Sequence, residues 1–223
     1  MDWSPILISM RTAGLSIVFT FFMGILAAWM VVRISHPLVK TILDGIFTIP
    51  LVLPPTVAGF FLLYVFGVKR PFGQFFLEYF SVKIAFSWGA TVLAAVVMSF
   101  PLMYRSARGA FEQVDDTLVQ AARTLGMGEW TIFRKVLLAN AVPGVVSGGV
   151  LAFARGLGEF GATAMIAGNI AGKTRTLPMA VYSEVAAGNM EAACSYVAII
   201  VMIAFLSVFL MNGVMWYSQK KSR

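Results

Sequence analysis

The chain has 223 residues, 59% of them hydrophobic and only 12% charged, with a mean hydropathy of +0.85; an ordinary soluble domain carries about 25% charge, so a soluble globular fold is excluded. A formal net charge of +7 could serve nucleic acid, but the cations stand singly at the ends of apolar runs with no basic stripe, so membrane lipid and not nucleic acid is the expected neighbour. One cysteine, Cys194, and one histidine, His36, exclude an internal disulfide and a zinc site built from the pair.

Five stretches contain no Asp, Glu, Lys or Arg: 12–32, 45–68, 84–104, 136–154 and 192–219. Each exceeds the roughly 18 apolar residues that cross a hydrocarbon layer as a helix. Continuous runs of this kind exclude a closed barrel, whose strands alternate over about ten residues. The fold expected is an all-α polytopic membrane protein, a single transmembrane domain over residues 1–223, with five spans. A sixth is allowed by the uncharged segment 160–172. The start, Met1-Asp2-Trp3-Ser4-Pro5, has no basic n-region or small-residue cleavage site, so the first run is expected to remain as span one.

In the second span Pro50, Pro54 and Pro55 each lack an N–H and clash with the preceding turn, which predicts a break or kink. A broken helix leaves free N–H groups and a positive dipole end near mid-membrane, with Thr56 and Gly59 beside it; a plain hinge and an anion contact both fit. Span three carries Ser99 and Pro101, and span four carries Pro143 and Ser147. Near the far end of span four, Arg155 and Glu159 are four residues apart on one helical face, as a structural ion pair or as a gate. Thr163 follows. In the last span, Asn212 and Gly213 suit packing against another helix.

Residues 105–135 hold nine of the chain's 27 charged residues. Asp115 or Asp116 can cap a helix running through Leu125, Gly126 can supply a left-handed stop, and Gly128 allows a second start before Glu129. Leu118, Ala121, Ala122 and Leu125 fall at i, i+3, i+4, i+7, while Trp130, Ile132 and Phe133 crowd the second helix. Such a hairpin could fill a partner's groove. Ten cations fall on its side of the membrane: Arg33, Lys40, five within 105–135, Lys220, Lys221 and Arg223. Six fall opposite: Arg11, Lys69, Arg70, Lys83, Lys173 and Arg175. The positive-inside rule then puts the N-terminus outside and the C-terminus in the cytoplasm.

The segment Ala167 to Thr174 matches a relaxed A-x-x-x-x-G-K-T pattern. A phosphate-cradling loop needs a preceding strand, a following helix and an acidic strand elsewhere; no parallel sheet is expected here and the topology puts the segment outside, so an external turn is expected. No nucleophile–base pair, paired carboxylates or metal cluster can be assembled, so the chain is not expected to be an enzyme.

Gln120-Ala121-Ala122, three residues, Gly126, nine residues and Val136-x-Leu138 resemble the EAA motif of ABC importer permeases, with Gln120 where Glu is usual and Ala139 where Pro is common. Three further blocks are similar to molybdate permease subunits, with sulfate permeases as near relatives: Ile49 to Gly59, Met98 to Met103, and Ala154 to Ala162. The resemblance implies the type I importer permease fold in the cytoplasmic (inner) membrane and a homodimer. It further implies that Gln120, Ala121, Ala122, Leu125, Gly126 and Glu129 couple to a separate ABC ATPase. That ATPase would bind the ATP and Mg, leaving this chain no cofactor, and an external molybdate-binding protein would feed the outward mouth. A fixed Arg in a dry pore would hold a dianion too tightly for passage, so the expected path uses Pro54, Thr56, Gly59, Ser99, Ser147 and Thr163, with Arg155 and Glu159 as gate candidates. Sulfate or tungstate are the alternative substrates. A proton-coupled secondary transporter should place acids deep in its spans, and the five runs have none.

Overall fold

The computed structural model describes the backbone of residues 2–221 and side chains as far as Gly213. Arg223, and the side chains of Lys220 and Lys221, fall outside the described residues. Among these residues every regular element is a helix. Helix α1 (Ser4–Val32) opens with Pro5 in its first turn, where the missing N–H costs nothing. Helix α2 (Pro37–Val52) and α3 (Pro55–Phe66) are separated by two residues and bent by 110°. The cause is local: Leu53 precedes Pro54 and Pro54 precedes Pro55, and a residue before proline is driven out of the helical region. Leu53 and Pro54 accordingly lie at ψ 140° and 134°.

A short helix α4 (Pro71–Phe80) leads to α5 (Trp88–Glu112), whose first turn is capped by the Ser87 hydroxyl accepting the Ala90 N–H. Next come α6 (Asp116–Thr124), α7 (Glu129–Ile132), a π-helical turn (Phe133–Leu137) and α8 (Leu138–Leu157). The chain ends through α9 (Gly161–Ile166), α10 (Leu177–Ala186) and α11 (Met190–Lys221). Four segments are long and apolar enough to cross a membrane: α1, α5, the unbroken run Glu129–Leu157, and α11. The bent pair α2–α3 makes a fifth.

The bend raises the question of whether that pair crosses at all, and the packing of α1 on α5 answers it. Thr12 meets Thr91 at 2.9 Å and Thr20 meets Ser99 at 3.0 Å. Equal eight-residue steps on both helices mean that they run parallel, so the intervening chain must return to the starting face. Helix α2 does so antiparallel to α5: Lys40 bridges Glu112, Asp44 accepts from Tyr104, and Phe47 packs on Phe100. Helix α3 then continues toward Ala94 and Ala90 at the other end of α5.

Helix α8 runs antiparallel to α5, Gly144 lying against Ala110, Gly148 against Ser106 and Gly156 near Ala95. Small residues permit this close approach, on which helix association in lipid depends. The buried seam of α1, α5 and α8 is filled by Ala28, Val31, Met103, Ala107, Phe111 and Val145. Helix α11 starts beside the start of α1, where the Tyr196 hydroxyl donates to the Asp2 carbonyl at 2.8 Å, and Ser207 reaches the level of Ile17 and Phe21. Five crossings result, with the two ends of the described chain on opposite faces. The uncharged segment 160–172 does not form a sixth: it holds the six-residue α9 and a turn.

Candidate functional site: a helical hairpin and two facing helix breaks

The hairpin α6–α7 stands on the face where α1 and α5 end and α8 begins. Its first helix is capped by Asp115, whose carboxylate accepts the Thr117 N–H at 2.9 Å; that bond holds the carboxyl below the usual range. Its end is a Schellman arrangement: the Gly126 N–H donates to the Arg123 carbonyl and the Met127 N–H to the Ala122 carbonyl, at 2.9 and 3.1 Å. This closure needs a left-handed residue, and Gly126 sits at φ 74°. The apolar stripe divides. Ala122 is buried, whereas Leu118, Ala121 and Leu125 point outward, Leu125 being 80% exposed. Gln120 is exposed on the same helix.

The second half is braced onto the core. Glu129 takes Arg123 at 2.9 Å and Arg33 at 3.4 Å, and the Arg33 guanidinium lies over the Trp29 ring. Trp29 in turn packs on Phe133 and Trp130, with ring centroids 4.6 and 5.8 Å apart. Glu129 therefore orients the hairpin on α1, while Leu118, Ala121 and Leu125 supply its free apolar face.

On the opposite half of the fold the two discontinuities meet. Helix α8 ends at Leu157 and α9 begins at Gly161, which lies against Pro55, 2.9 Å from its Cβ on adding a methyl, and against the Thr56 N–H. Gly59 is closer still to the α9 backbone. Glu159, 2% exposed, lies between the two helices of the second break: its Oε1 accepts the Ala162 N–H at 2.8 Å and its Oε2 faces Arg155 at 2.6 Å. The chain's own carboxylate thus fills the anion position at the start of α9. Pro54 and Thr56 remain exposed at the junction, and Thr163 is buried behind it.

A Gly59→Leu substitution tests this contact. A Cβ there would stand 2.6 Å from the Ala162 Cα and 2.8 Å from its carbonyl oxygen, and backbone cannot step aside as a flexible side chain can. Overpacking costs about 1–3 kcal/mol, so the thermal midpoint of the purified chain should fall clearly. Gly45→Leu, at a site with nothing within 4 Å of the new Cβ, should leave it in place.

The remaining predicted path residues are distributed differently. Ser99 lies in the α1–α5 seam, its hydroxyl shared between Thr20 and the Ala95 carbonyl. Ser147 lines an open cleft of about 630 Å³ between the second half of α5 and the first half of α8, together with Arg105, Ser106, Gln113 and Asn140. Those four polar residues were not singled out from the sequence. For Asn140 a signal was available: Asn140, Gly144 and Ser147 stand three to four apart on one face of the charge-free run 136–154. The segment Ala167 to Thr174 follows a helix and is closed on itself, the Thr174 hydroxyl donating to the Gly168 carbonyl and accepting from the Ile170 N–H.

Four membrane-length helices and one bent pair define a polytopic helical membrane protein. Residues 20–223 match the family model for the binding-protein-dependent transport system inner membrane component, and the chain belongs to that family. It is 41% identical to the molybdenum transport system permease protein ModB of Escherichia coli (strain K12), covering 99% of this chain and 96% of that one. It is 33% identical to the sulfate transport system permease protein CysT of Salmonella typhimurium, covering 92% of this chain and 73% of the relative. The fold matches an inward-facing solved structure of the MetNI methionine ABC transporter with a TM-score of 0.75 over 97% of both chains, at 18% identity.

Proposed function

We propose that this chain is the permease subunit of an ATP-driven ABC importer for molybdate, acting as a homodimer. Each protomer presents its α6–α7 hairpin to one ABC ATPase subunit, which binds the ATP and Mg, and an external molybdate-binding protein delivers the oxyanion to the opposite mouth. The hairpin is the observation that carries this reading. It holds exposed Leu118, Ala121 and Leu125 on a scaffold locked by Gly126 and braced by Glu129, an apolar knob of the kind that suits a partner's groove. Its face is read as cytoplasmic, with the N-terminus outside and the C-terminus inside, because Arg33, Lys40 and the five cations of 105–135 gather there.

The oxyanion path is read from the exposed hydroxyl of Thr56, beside Pro54 and Gly59, to Ser147 in the α5–α8 cleft. The buried Ser99 and Thr163 support its walls. Closure of the ATPase pair on ATP would draw the two hairpins together and open the path outward; hydrolysis would return it inward. Molybdate is preferred over sulfate because likeness to the molybdenum permease is higher in identity and nearly complete in the length of both chains.

The test is oxyanion uptake into liposomes containing this chain, its ATPase and its binding protein, with molybdate, tungstate and sulfate compared. The expected result is ATP-dependent molybdate entry that excess sulfate does not reduce. Sulfate entry would move the chain to the sister group, and entry without ATP would overturn the ABC reading.

A further inference from the structure

The corner between α3 and α4 lies on the face where α1 begins, far from the hairpin, and nothing in the transport reading uses it. A cleft of about 390 Å³ opens there, walled by Phe60, Leu63, Val68 and Phe86. Three cations stand at the cleft: Lys69 and Arg70 from the turn that ends α3, and Lys83 from the segment that leads into α5. Among the described residues none of the three forms an ion pair. Glu78, the one acid between residues 67 and 88, pairs with none of them. Arg70 is held in place by the Tyr64 ring, its guanidinium 3.9 Å from the centroid, which leaves its N–H groups free to donate.

The turn that gathers these groups is sterically fixed. Gly73 packs so tightly on the Gly67 carbonyl that any Cβ would collide with it, and the Arg70 N–H donates to the same carbonyl at 2.8 Å. Beyond the turn, Phe72, Phe75, Tyr79 and Phe80 of α4 are all exposed. Exposed aromatics beside lysine and arginine at the end of a span are the composition of a membrane–water boundary.

We propose that this corner binds one anionic phospholipid, its phosphate held by Lys69, Arg70 and Lys83 and an acyl chain lying in the cleft against Phe60, Leu63 and Phe86. The juxtaposition selects this ligand class. A free phosphate or oxyanion would use the cations but not the apolar walls, and a neutral lipid would use the walls but leave three positive charges at the boundary uncompensated. An acidic protein surface would meet the cations without requiring a cleft that opens beside the lipid-facing side of a span.

The test is native mass spectrometry of the purified full chain in detergent with added phosphatidylglycerol or phosphatidylcholine. One phosphatidylglycerol should bind preferentially. The triple variant Lys69→Gln, Arg70→Gln, Lys83→Gln should lose that preference, at roughly fivefold in affinity per cation, while the charge-keeping variant Lys69→Arg, Lys83→Arg retains it. Equal binding of both lipids by the native chain, or unchanged phosphatidylglycerol binding by the triple variant, overturns the proposal. Displacement of the lipid by equimolar inorganic phosphate or molybdate would make this a free-anion site. Loss of binding-protein association in the triple variant with lipid binding intact would assign the cations to a protein; either result overturns it as well.

Discussion

Replacing Gly126 with valine is expected to cut ATP-driven uptake strongly while leaving the chain inserted and its core folded. The reason is backbone and not space: nothing lies within 4 Å of a Cβ added at this position, but the residue sits at φ 74°. A left-handed conformation costs an ordinary residue about 1–2 kcal/mol, and a β-branched one is a clear outlier there. The valine variant would relieve that cost by leaving the left-handed region, losing both Schellman hydrogen bonds and turning Leu125 and Met127 away from their present directions. The α1–α5–α8 seam makes no contact with the turn residue, so it should survive. Co-purification of the ATPase and uptake should both fall at least about tenfold, the equivalent of roughly 1.4 kcal/mol. Gly126→Asn, which tolerates the same conformation, should recover most of the loss. Full uptake and full ATPase association in the valine variant would remove the hairpin from the coupling role.

The sequence made this turn legible because a Schellman stop is a local device, set by one glycine after a capped apolar helix. The break between α2 and α3 was legible for the same reason, three prolines within six residues. What faces the break was not. That Gly59 would lie on Ala162 depends on a helix a hundred residues later, and no local pattern encodes it. The hydroxyls were ambiguous in another way. Ser99 and Ser147 look alike in sequence, each a small polar residue in an apolar run; only the parallel register of α1 on α5 puts Ser99 opposite Thr20 and leaves Ser147 facing an open cleft. The hairpin stripe shows the same limit. A spacing of i, i+3, i+4, i+7 defines a face, but not which edge of it turns inward, and of the four residues only Ala122 is buried.

The Arg155–Glu159 pair gives the other large effect, and its asymmetry separates a structural role from a gate. Glu159 is 2% exposed, with Oε1 engaged by the Ala162 N–H and Oε2 facing only Arg155. The Arg155 side chain is 27% exposed, so it can reach water if its partner is neutralised. Arg155→Met therefore strands a buried carboxylate and should destabilise the chain by about 3–5 kcal/mol, read as a large drop in thermal midpoint. Glu159→Gln keeps an acceptor for Ala162 and should cost much less. Combining the two removes the stranded charge, so the double variant should be more stable than Arg155→Met alone, a coupling that independent sites do not produce. Uptake distinguishes what stability cannot: a purely structural pair predicts that the double variant recovers transport along with its midpoint. A gate predicts that the fold recovers and transport does not, because the charge that holds α8 to α9 across the second break would then be needed in one conformation and released in the other.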